Sequence, residues 1–370
     1  FNADADTTKS LGFNAHARWE LASTHDLVTG FSWIRDDLDK NLMRTGTLRR
    51  AGRLSPVLAD IRTQANIATM AVYAEDTWAF AAQWHATFGL RQYLVSSELV
   101  NSSDPALVSR TDDDSQLVGS AALVYAPIDR LALRARWSQG YVYPTLLQLH
   151  TGSLFAQGNL TRPNPTLRPE RSKNAEIGLR WEPKHGMIDL VVFATEARDY
   201  IESVSAASLP QLGWAPTENT YANLARSSSW GIEWATSYQA TEASPEFYAQ
   251  ATYLRREIED PILTTTDYGQ PRLSGRAGVR HEGRWCQQMS WYLDAYAVSG
   301  SRSTRETKRS VTTTEGWSTA NLSLGLSWGQ RPRWRLNIEV LNLGDASYRP
   351  SIDELVQPGR HASIGLKIEF

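Results

Sequence analysis

The sequence predicts an all-β protein whose long antiparallel strands form a transmembrane β-barrel. Three observations carry this prediction: apolar residues recur at every second position in many segments, short turns alternate with long polar connections, and the chain holds 14 Trp and 14 Tyr. Period-two alternation is typical of strands with one apolar side. In a membrane barrel that side faces lipid, which allows the chain as a whole to be polar.

The composition agrees with a barrel and argues against other classes. The chain has 370 residues, 41% of them hydrophobic, and no run approaches the roughly 18 apolar residues of a membrane helix. The formal net charge of -2 gives no basic excess that would indicate a nucleic-acid partner. Cys286 is the single cysteine, so a disulfide framework or cysteine metal cluster is not expected. The sequence opens without a Met or a secretory leader, so we expect that any signal lies outside it.

The strands follow from the alternation, taken in chain order. Residues 13–21 place Phe13 and Trp19 on one face and Asn14 and Arg18 on the other, and residues 27–33 repeat the pattern after a short turn. Further strands are predicted at 67–78, 84–90, 117–126, 131–141, 175–181, 188–201, 230–238, 247–254, 273–279, 289–297, 320–328, 334–340 and 364–370. The total is about 15 strands.

The connections alternate in length. Short turns are predicted at 22–24, 80–83, 127–129, 183–186, 281–283 and 329–332. Long polar loops are predicted at 39–63, 101–115, 143–173, 203–219, 260–270, 301–314 and 343–358. Short turns on one rim and long loops on the other are typical of an outer-membrane barrel. Such a sheet must close on itself, because lipid offers no partner for open backbone groups.

Several tryptophans stand beside the predicted short turns, as an aromatic girdle would. They are Trp19, Trp78, Trp84, Trp181, Trp285, Trp328 and Trp334. Indole rings favour the boundary between an apolar layer and water. The alternatives are that Trp is simply a good strand residue, or that the protein is a soluble all-β sandwich. Uneven loops and the absence of a fixed period argue against a propeller or solenoid.

Motifs in the loop at 143–173 and at the C-terminus resemble the receptor domain of TonB-dependent outer-membrane receptors. They are Tyr141-Val-Tyr-Pro144, Asn164-Pro-Thr-Leu167, Pro169-Glu-Arg-Ser172, Val340-Leu-Asn-Leu343, Gly359-Arg360 and the terminal Phe370. The resemblance extends over nearly the whole chain. It implies a barrel of 22 strands with an N-terminal plug domain and a short segment that binds TonB.

About 15 strands is fewer than those 22, and no plug is recognisable in the sequence. We therefore expect residues 1–370 to be the C-terminal portion of a receptor barrel, with the plug domain and the first strands absent from this chain. Alone, the chain is not expected to transport anything.

His150 is the candidate ligand-binding residue of the 143–173 loop. Haem receptors of the resembled family carry an axial His between two comparable boxes, and a His nitrogen there would bind haem iron. This chain departs from the first box at Val142 and Tyr143. We favour the alternative that His150 fills an aromatic position used by many siderophore receptors.

The other candidates are architectural or electrostatic. Tyr141, Pro144, Asn164, Pro165, Pro169 and Glu170 are expected to shape the ligand loop, since Asn-Pro and Arg-Pro set turns. Arg134, Arg136, Arg180, Arg276 and Arg280 are expected to face the barrel lumen. There they would either attract an anionic ferric chelate or pair with the plug or with Glu176, Glu233 and Glu339. Asp112 to Asp114 could hold a hard cation, but we favour a solvated loop.

The predicted function is that of an outer-membrane receptor and transporter in a Gram-negative bacterium, with a ferric siderophore as ligand. The resemblance implies energisation by the TonB–ExbB–ExbD complex through the missing N-terminal part, and the barrel implies contact with outer-membrane lipid. No protein-bound cofactor, metal site or nucleic-acid partner is expected. The alternatives are a haem receptor of the same family and a passive, porin-like channel. An enzyme is disfavoured, since nucleophile elbow, zinc-protease and phosphate-loop motifs are absent.

Overall fold

The structure is a computed structural model, and it describes residues 2–50, 53–154, 160–260, 263–307, 310–352 and 354–370. In these ranges the chain is almost entirely β-structure. The strands are β1 Asn2–Glu20, β2 His25–Arg50, β3 Arg53–Ala81, β4 Trp84–Ser102, β5 Arg110–Ile128, β6 Leu131–Val142, β7 Ser153–Leu154, β8 Leu160–Arg162, β9 Glu170–Trp181, β10 Gly186–Ser205, β11 Asn219–Gln239, β12 Glu246–Asp260, β13 Leu263–Thr265, β14 Leu273–Cys286, β15 Met289–Gly300, β16 Ser303–Glu306, β17 Val311–Thr314, β18 Trp317–Trp328, β19 Arg333–Leu341 and β20 His361–Glu369.

In the described part of the chain, helix is confined to three short turns: a π-turn at Leu147–Thr151 and 3₁₀ turns at Ala206–Ser208 and Pro210–Leu212. Within the described ranges, no helix has the length and apolarity needed to cross a membrane. All strands except β7, β8, β13, β16 and β17 have nine or more residues, which leaves fifteen long ones in the described chain. The predicted all-β fold and the strand count of about 15 are therefore confirmed.

The chain divides into two compact units. Unit 1 comprises Phe1–Leu123, Trp137–Asn174 and Glu196–Arg226, and unit 2 comprises Val124–Arg136, Ala175–Thr195 and Ser227–Phe370. Within unit 1, β1 to β4 pair as antiparallel neighbours in chain order. Within unit 2, β12, β14, β15, β18, β19 and β20 do the same.

The apolar sides of the strands are exposed, which is the reverse of a water-soluble sandwich. Phe13 is 60% exposed, Leu90 59%, Ile177 70% and Ile364 74%. The opposite side, here called the polar face, carries residues such as the half-buried Arg91. Apolar side chains that cover nothing within the protein are suited to contact with lipid hydrocarbon. The soluble-sandwich alternative is therefore wrong.

Tryptophans border the short turns as predicted. Trp78, Phe80 and Trp84 form a chain of ring contacts around the β3–β4 turn, with centroids 5.2 and 6.0 Å apart. Trp328 stacks on Trp334 across the β18–β19 turn at 6.2 Å.

The largest correction concerns the predicted loop at 39–63. β2 and β3 instead continue their ladder through this stretch to the pair Arg50↔Arg53. The period of two depends on an apolar side, whereas the backbone ladder does not, so the hydrogen bonds continue through this stretch although the alternation disappears. For the same reason the predicted loop at 101–115 contracts, and Asp112 to Asp114 lie inside β5.

Smaller corrections fall on other connections. The turn predicted at 281–283 lies further along, because β14 runs to Cys286 and β15 starts at Met289. The loop at 301–314 contains the β16–β17 hairpin, and the loop at 260–270 contains β13. These segments are short and polar, and a period of two is not visible in three or four residues.

Candidate functional site

The segment between β6 and β9, residues 143–169, is the candidate site, and in the described residues it is tied closely to unit 1. Its first fixed point is Ser97 on β4, whose side chain is 0% exposed. The Ser97 hydroxyl lies 3.1 Å from the Tyr143 hydroxyl and 3.2 Å from His150 Nε2. One buried serine therefore holds both the start and the middle of the segment.

His150 lies in a dry, polar cluster. It is 1% exposed, and its Nδ1 has no hydrogen-bond partner in the structure. Burial lowers the pKa of His150 to about 4, against a smaller opposing effect of Asp112, so the ring is neutral near pH 7. An axial haem ligand needs a ring nitrogen that iron can reach. Haem ligation by His150 stays a prediction that would require this cluster to open.

Apolar contacts fix the same segment on both sides of His150. Leu146 packs into a cluster with Leu38, Ala65 and Leu99 of β2, β3 and β4. Leu149 packs with Leu167 and Ile201. Pro144 is among the fully buried side chains. Burial of these aliphatic side chains stabilises the turn at Leu147–Thr151 against the polar face of the strands.

Asn164 organises the second half of the segment. Its Nδ2 donates to the carbonyl of Tyr221 at 2.7 Å, and its Oδ1 accepts from the backbone N–H of Thr166 at 2.9 Å. The residue is 4% exposed. Pro165 stands between the two residues of this Asx turn, which is the turn that Asn-Pro favours.

The end of the segment is bound to β10 and β11. Glu170 accepts a hydrogen bond from the backbone N–H of Ile201 at 2.8 Å. Asn223 exchanges two 2.8 Å hydrogen bonds with the backbone of Arg168. Pro169 lies between these two anchored residues. The architectural roles proposed for Pro144, Asn164, Pro165, Pro169 and Glu170 have this geometry for support and stay predictions.

Arg162 was not predicted from the sequence as a functional residue, although its side chain bonds two carboxylates. Its guanidinium bonds Asp104 at 2.5 Å and Glu218 at 3.0 Å, and it lies over the Trp214 ring at 5.1 Å. These three partners belong to two other connections, 103–109 and 206–218. The side chains of Arg162, Asp104 and Glu218 are 19%, 11% and 20% exposed. Arg162 therefore joins three connections through one partly dry ion-pair cluster.

Tyr141 and the aspartates are placed on β6 and β5. Tyr141 donates its hydroxyl to Asp114 at 2.5 Å, and its ring lies 5.2 Å from that of Tyr93. Asp112 is paired with Arg110. Among the described residues no group of three or more His, Cys, Asp or Glu is arranged to hold a metal ion.

Two of the predicted lumenal arginines in unit 2, Arg134 and Arg180, have carboxylate neighbours, although not the predicted ones. Arg134 bonds Asp189 at 2.6 Å, and Arg180 bonds Glu182 at 2.6 Å. Arg136 is exposed.

Asp294 is the acid of a second cluster in unit 2. It accepts from Arg276 and Arg280 at 3.2 Å each and from the Tyr248 hydroxyl at 2.7 Å. Most of these positive charges are therefore already balanced within the unit.

Solved structures share this fold at low sequence identity. The copper transporter OprC matches with a TM-score of 0.73 and 16% identity, over 99% of this chain and 57% of that one. The ferric preacinetobactin receptor BauA of Acinetobacter baumannii matches with 0.70 and 16%, over 100% and 55%. The ferric yersiniabactin uptake receptor FyuA of Yersinia pestis matches with 0.68 and 17%, over 99% and 55%. The chain thus spans little more than half the length of these structures.

Sequence comparison points the same way. A probable haemoglobin- and haemoglobin-haptoglobin-binding protein of Haemophilus influenzae is 31% identical over 84 residues, which are 22% of this chain and 8% of that protein. The family model for TonB-dependent receptor-like β-barrels matches residues 1–343. Members of this family are receptors and transporters of the Gram-negative outer membrane rather than enzymes. The chain therefore belongs to the TonB-dependent receptor β-barrel family, as its motifs predicted.

Proposed function

We propose that the full-length protein imports an iron complex, a ferric siderophore, across the outer membrane, driven by the TonB–ExbB–ExbD complex. The family match over residues 1–343 carries this proposal. The printed functions of BauA and FyuA, both receptors for ferric siderophores, support the choice of ligand class. The anchored residues 143–153 and 160–169 support a role in capture, since binding residues often lie on connections held by a rigid scaffold.

The test is uptake by cells that express or lack the gene. Cells are given radioactive ferric iron bound to one catecholate, one hydroxamate or one mixed siderophore at a time. We expect uptake of at least one complex to disappear on gene deletion and also in a strain without TonB. Uptake that survives the loss of TonB would instead support the passive channel.

A haem complex is the second candidate, because the relative in Haemophilus influenzae is named for haemoglobin binding. Growth on haemoglobin as the iron source separates the two candidates. Within this alternative, His150→Ala tests the ligand role, and Ser97→Ala is the matched control because Ser97 contacts His150 without offering an iron ligand. Haem binding that survives in His150→Ala would remove this residue from the haem hypothesis.

A further inference from the structure

A row of three residues crosses the polar face of unit 1. The register pairs Gly30 of β2 with Tyr73 of β3, and Tyr73 with Arg91 of β4. A Cβ atom at Gly30 would lie 2.2 Å from Tyr73 Cζ, so the glycine lets the tyrosine ring lie flat against the sheet. The Arg91 side chain packs on the face of this ring.

Aromatic rings hold the Arg91 guanidinium. Its Cζ lies 5.1 Å from the Tyr73 ring centroid and 4.9 Å from that of Tyr93. One terminal nitrogen donates to the Ser32 hydroxyl at 2.9 Å. Two ring contacts and a hydrogen bond fix the position of the cation before any ligand arrives.

The described part of the chain positions this cation without giving it a carboxylate partner. Among the described residues, no Asp or Glu oxygen is recorded within ion-pair distance of Arg91, whereas Arg134, Arg162, Arg180, Arg276 and Arg280 each have one. Glu75 lies beside Gly89, and Asp114 is engaged by Tyr141. The Nε atoms of Arg91 and of Arg276 are both buried without an acceptor in the described part of the chain, so the carboxylate partner is what distinguishes the two arginines.

We propose that Arg91, with Tyr73, Tyr93 and Tyr141, forms a binding site for a planar oxyanion, a carboxylate borne by a solute that enters the polar side of the sheet. A guanidinium presents parallel N–H donors that match a carboxylate in plane. The surrounding tyrosine rings provide faces for a flat group attached to it. This inference rests on the proposed function where it concerns the transported complex, because it assigns a carboxylate as the group by which the protein would hold that complex.

Benzoate is the probe, and benzamide is its uncharged counterpart of the same shape. Calorimetric titration of the purified full-length protein in detergent gives both affinities. We expect benzoate to bind and benzamide to bind at least about tenfold more weakly, as loss of a charged hydrogen-bond partner predicts. Arg91→Gln should weaken benzoate binding by about tenfold or more, and Arg91→Lys by less, because it keeps the charge and loses the fork.

Arg276→Gln is the matched control, because Arg276 also lies over a tyrosine, 3.7 Å from the Tyr296 centroid, but is balanced by Asp294. Its benzoate affinity should equal that of the unaltered protein. Absence of benzoate binding, equal binding of benzamide, or unchanged binding in Arg91→Gln would each overturn the proposal.

Circular dichroism verifies the fold of each variant. If Arg91→Gln does not fold, Tyr93→Leu is measured in its place. This variant removes one aromatic ring and keeps the cation, and its affinity for benzoate should be lower than that of the unaltered protein. Unchanged affinity in Tyr93→Leu would then overturn the proposal. The readout does not involve iron uptake. Benzoate binding that depends on Arg91 would therefore leave the anion site standing even if the uptake experiments contradicted the siderophore proposal.

Discussion

Arg91 in unit 1 and Arg276 in unit 2 are held in similar ways and balanced in different ways. Both lie over tyrosine rings, at 4.9 Å from Tyr93 and 3.7 Å from Tyr296. Arg276 also bonds Asp294, which is 4% exposed, whereas Arg91 bonds only the Ser32 hydroxyl among the contacts recorded for the described residues. The aromatic rings orient both cations. The acid neutralises one of them, whereas the other has no carboxylate partner in the described part of the chain and is the cation that we propose as a ligand-binding group.

Removing Asp294 should give the largest effect on stability. Asp294→Ala leaves Arg276 and Arg280 side by side without their shared acid. Loss of one partner of a buried pair costs roughly 3–5 kcal/mol. Because the two arginine side chains are 33% and 47% exposed, we expect a loss of about 2–3 kcal/mol.

Urea unfolding of the protein in lipid vesicles measures this loss. Glu369→Gln is the control, since the Lys367–Glu369 pair is largely exposed. An equal loss in the two variants would show that the burial of Asp294 is unimportant and would remove the contrast between the two arginines.

Acidification should weaken the attachment of the 143–169 segment through His150, a buried basic group whose Nε2 contacts the neutral Ser97 hydroxyl. Its pKa is lowered from 6.5 to about 4 by burial. The unfolded chain therefore binds this proton first as the pH falls, and stability present above pH 6.5 is lost progressively towards pH 4. The expected loss at pH 5 is about 2 kcal/mol.

The pH dependence is followed by unfolding at pH 7 and pH 5 in the unaltered protein and in His150→Gln. The variant should be less sensitive to pH over this interval, whereas His361→Gln, at an exposed position, should behave like the unaltered protein. Equal pH sensitivity in His150→Gln and the unaltered protein would contradict the buried, neutral imidazole.

Arg162 combines both modes of holding an arginine, since it has two carboxylates and the Trp214 ring. Arg162→Ala should release the connection at 206–218 and raise its rate of proteolytic cleavage by about tenfold, equivalent to about 1–2 kcal/mol of local stability. The cleavage rate of Arg162→Lys should lie between those of the unaltered protein and Arg162→Ala. Lysine keeps the positive charge but loses the paired N–H donors of the guanidinium. Cleavage at an unchanged rate in Arg162→Ala would show that the ion-pair cluster does not hold this connection.

The exposed pair Arg168–Asp199 should give the smallest effect. The two side chains are 71% and 28% exposed, so solvent screens their attraction. Arg168→Ala is expected to change the free energy of unfolding by about 0.5 kcal/mol or less. A loss as large as that in Asp294→Ala would mean that exposure does not govern the value of these pairs.

The sequence predicts the strands well wherever one face is apolar, because that face imposes a period of two. Phe13 to Trp19 and Leu131 to Trp137 lie in β1 and β6 as expected. The same signal is absent from residues 39–63, where polar residues such as Lys40 and Thr63 are buried together with Leu42, and there the prediction of a loop was wrong. The polar contacts were less predictable. Nothing local identifies Arg162 as the partner of Asp104 and Glu218, since these residues are 58 and 56 positions away.

The continuation of β2 and β3 beyond their neighbours has a practical consequence. β1 accompanies β2 up to Arg44 and β4 accompanies β3 up to Thr63, so the last rungs, from Thr45↔Leu58 to Arg50↔Arg53, connect only these two strands. Six rungs extend about 20 Å. Shortening this ribbon, or inserting an epitope at its end, would break no other ladder. It is therefore the place to attach a reporter that leaves the anchored 143–169 segment and the tyrosine-lined arginine untouched.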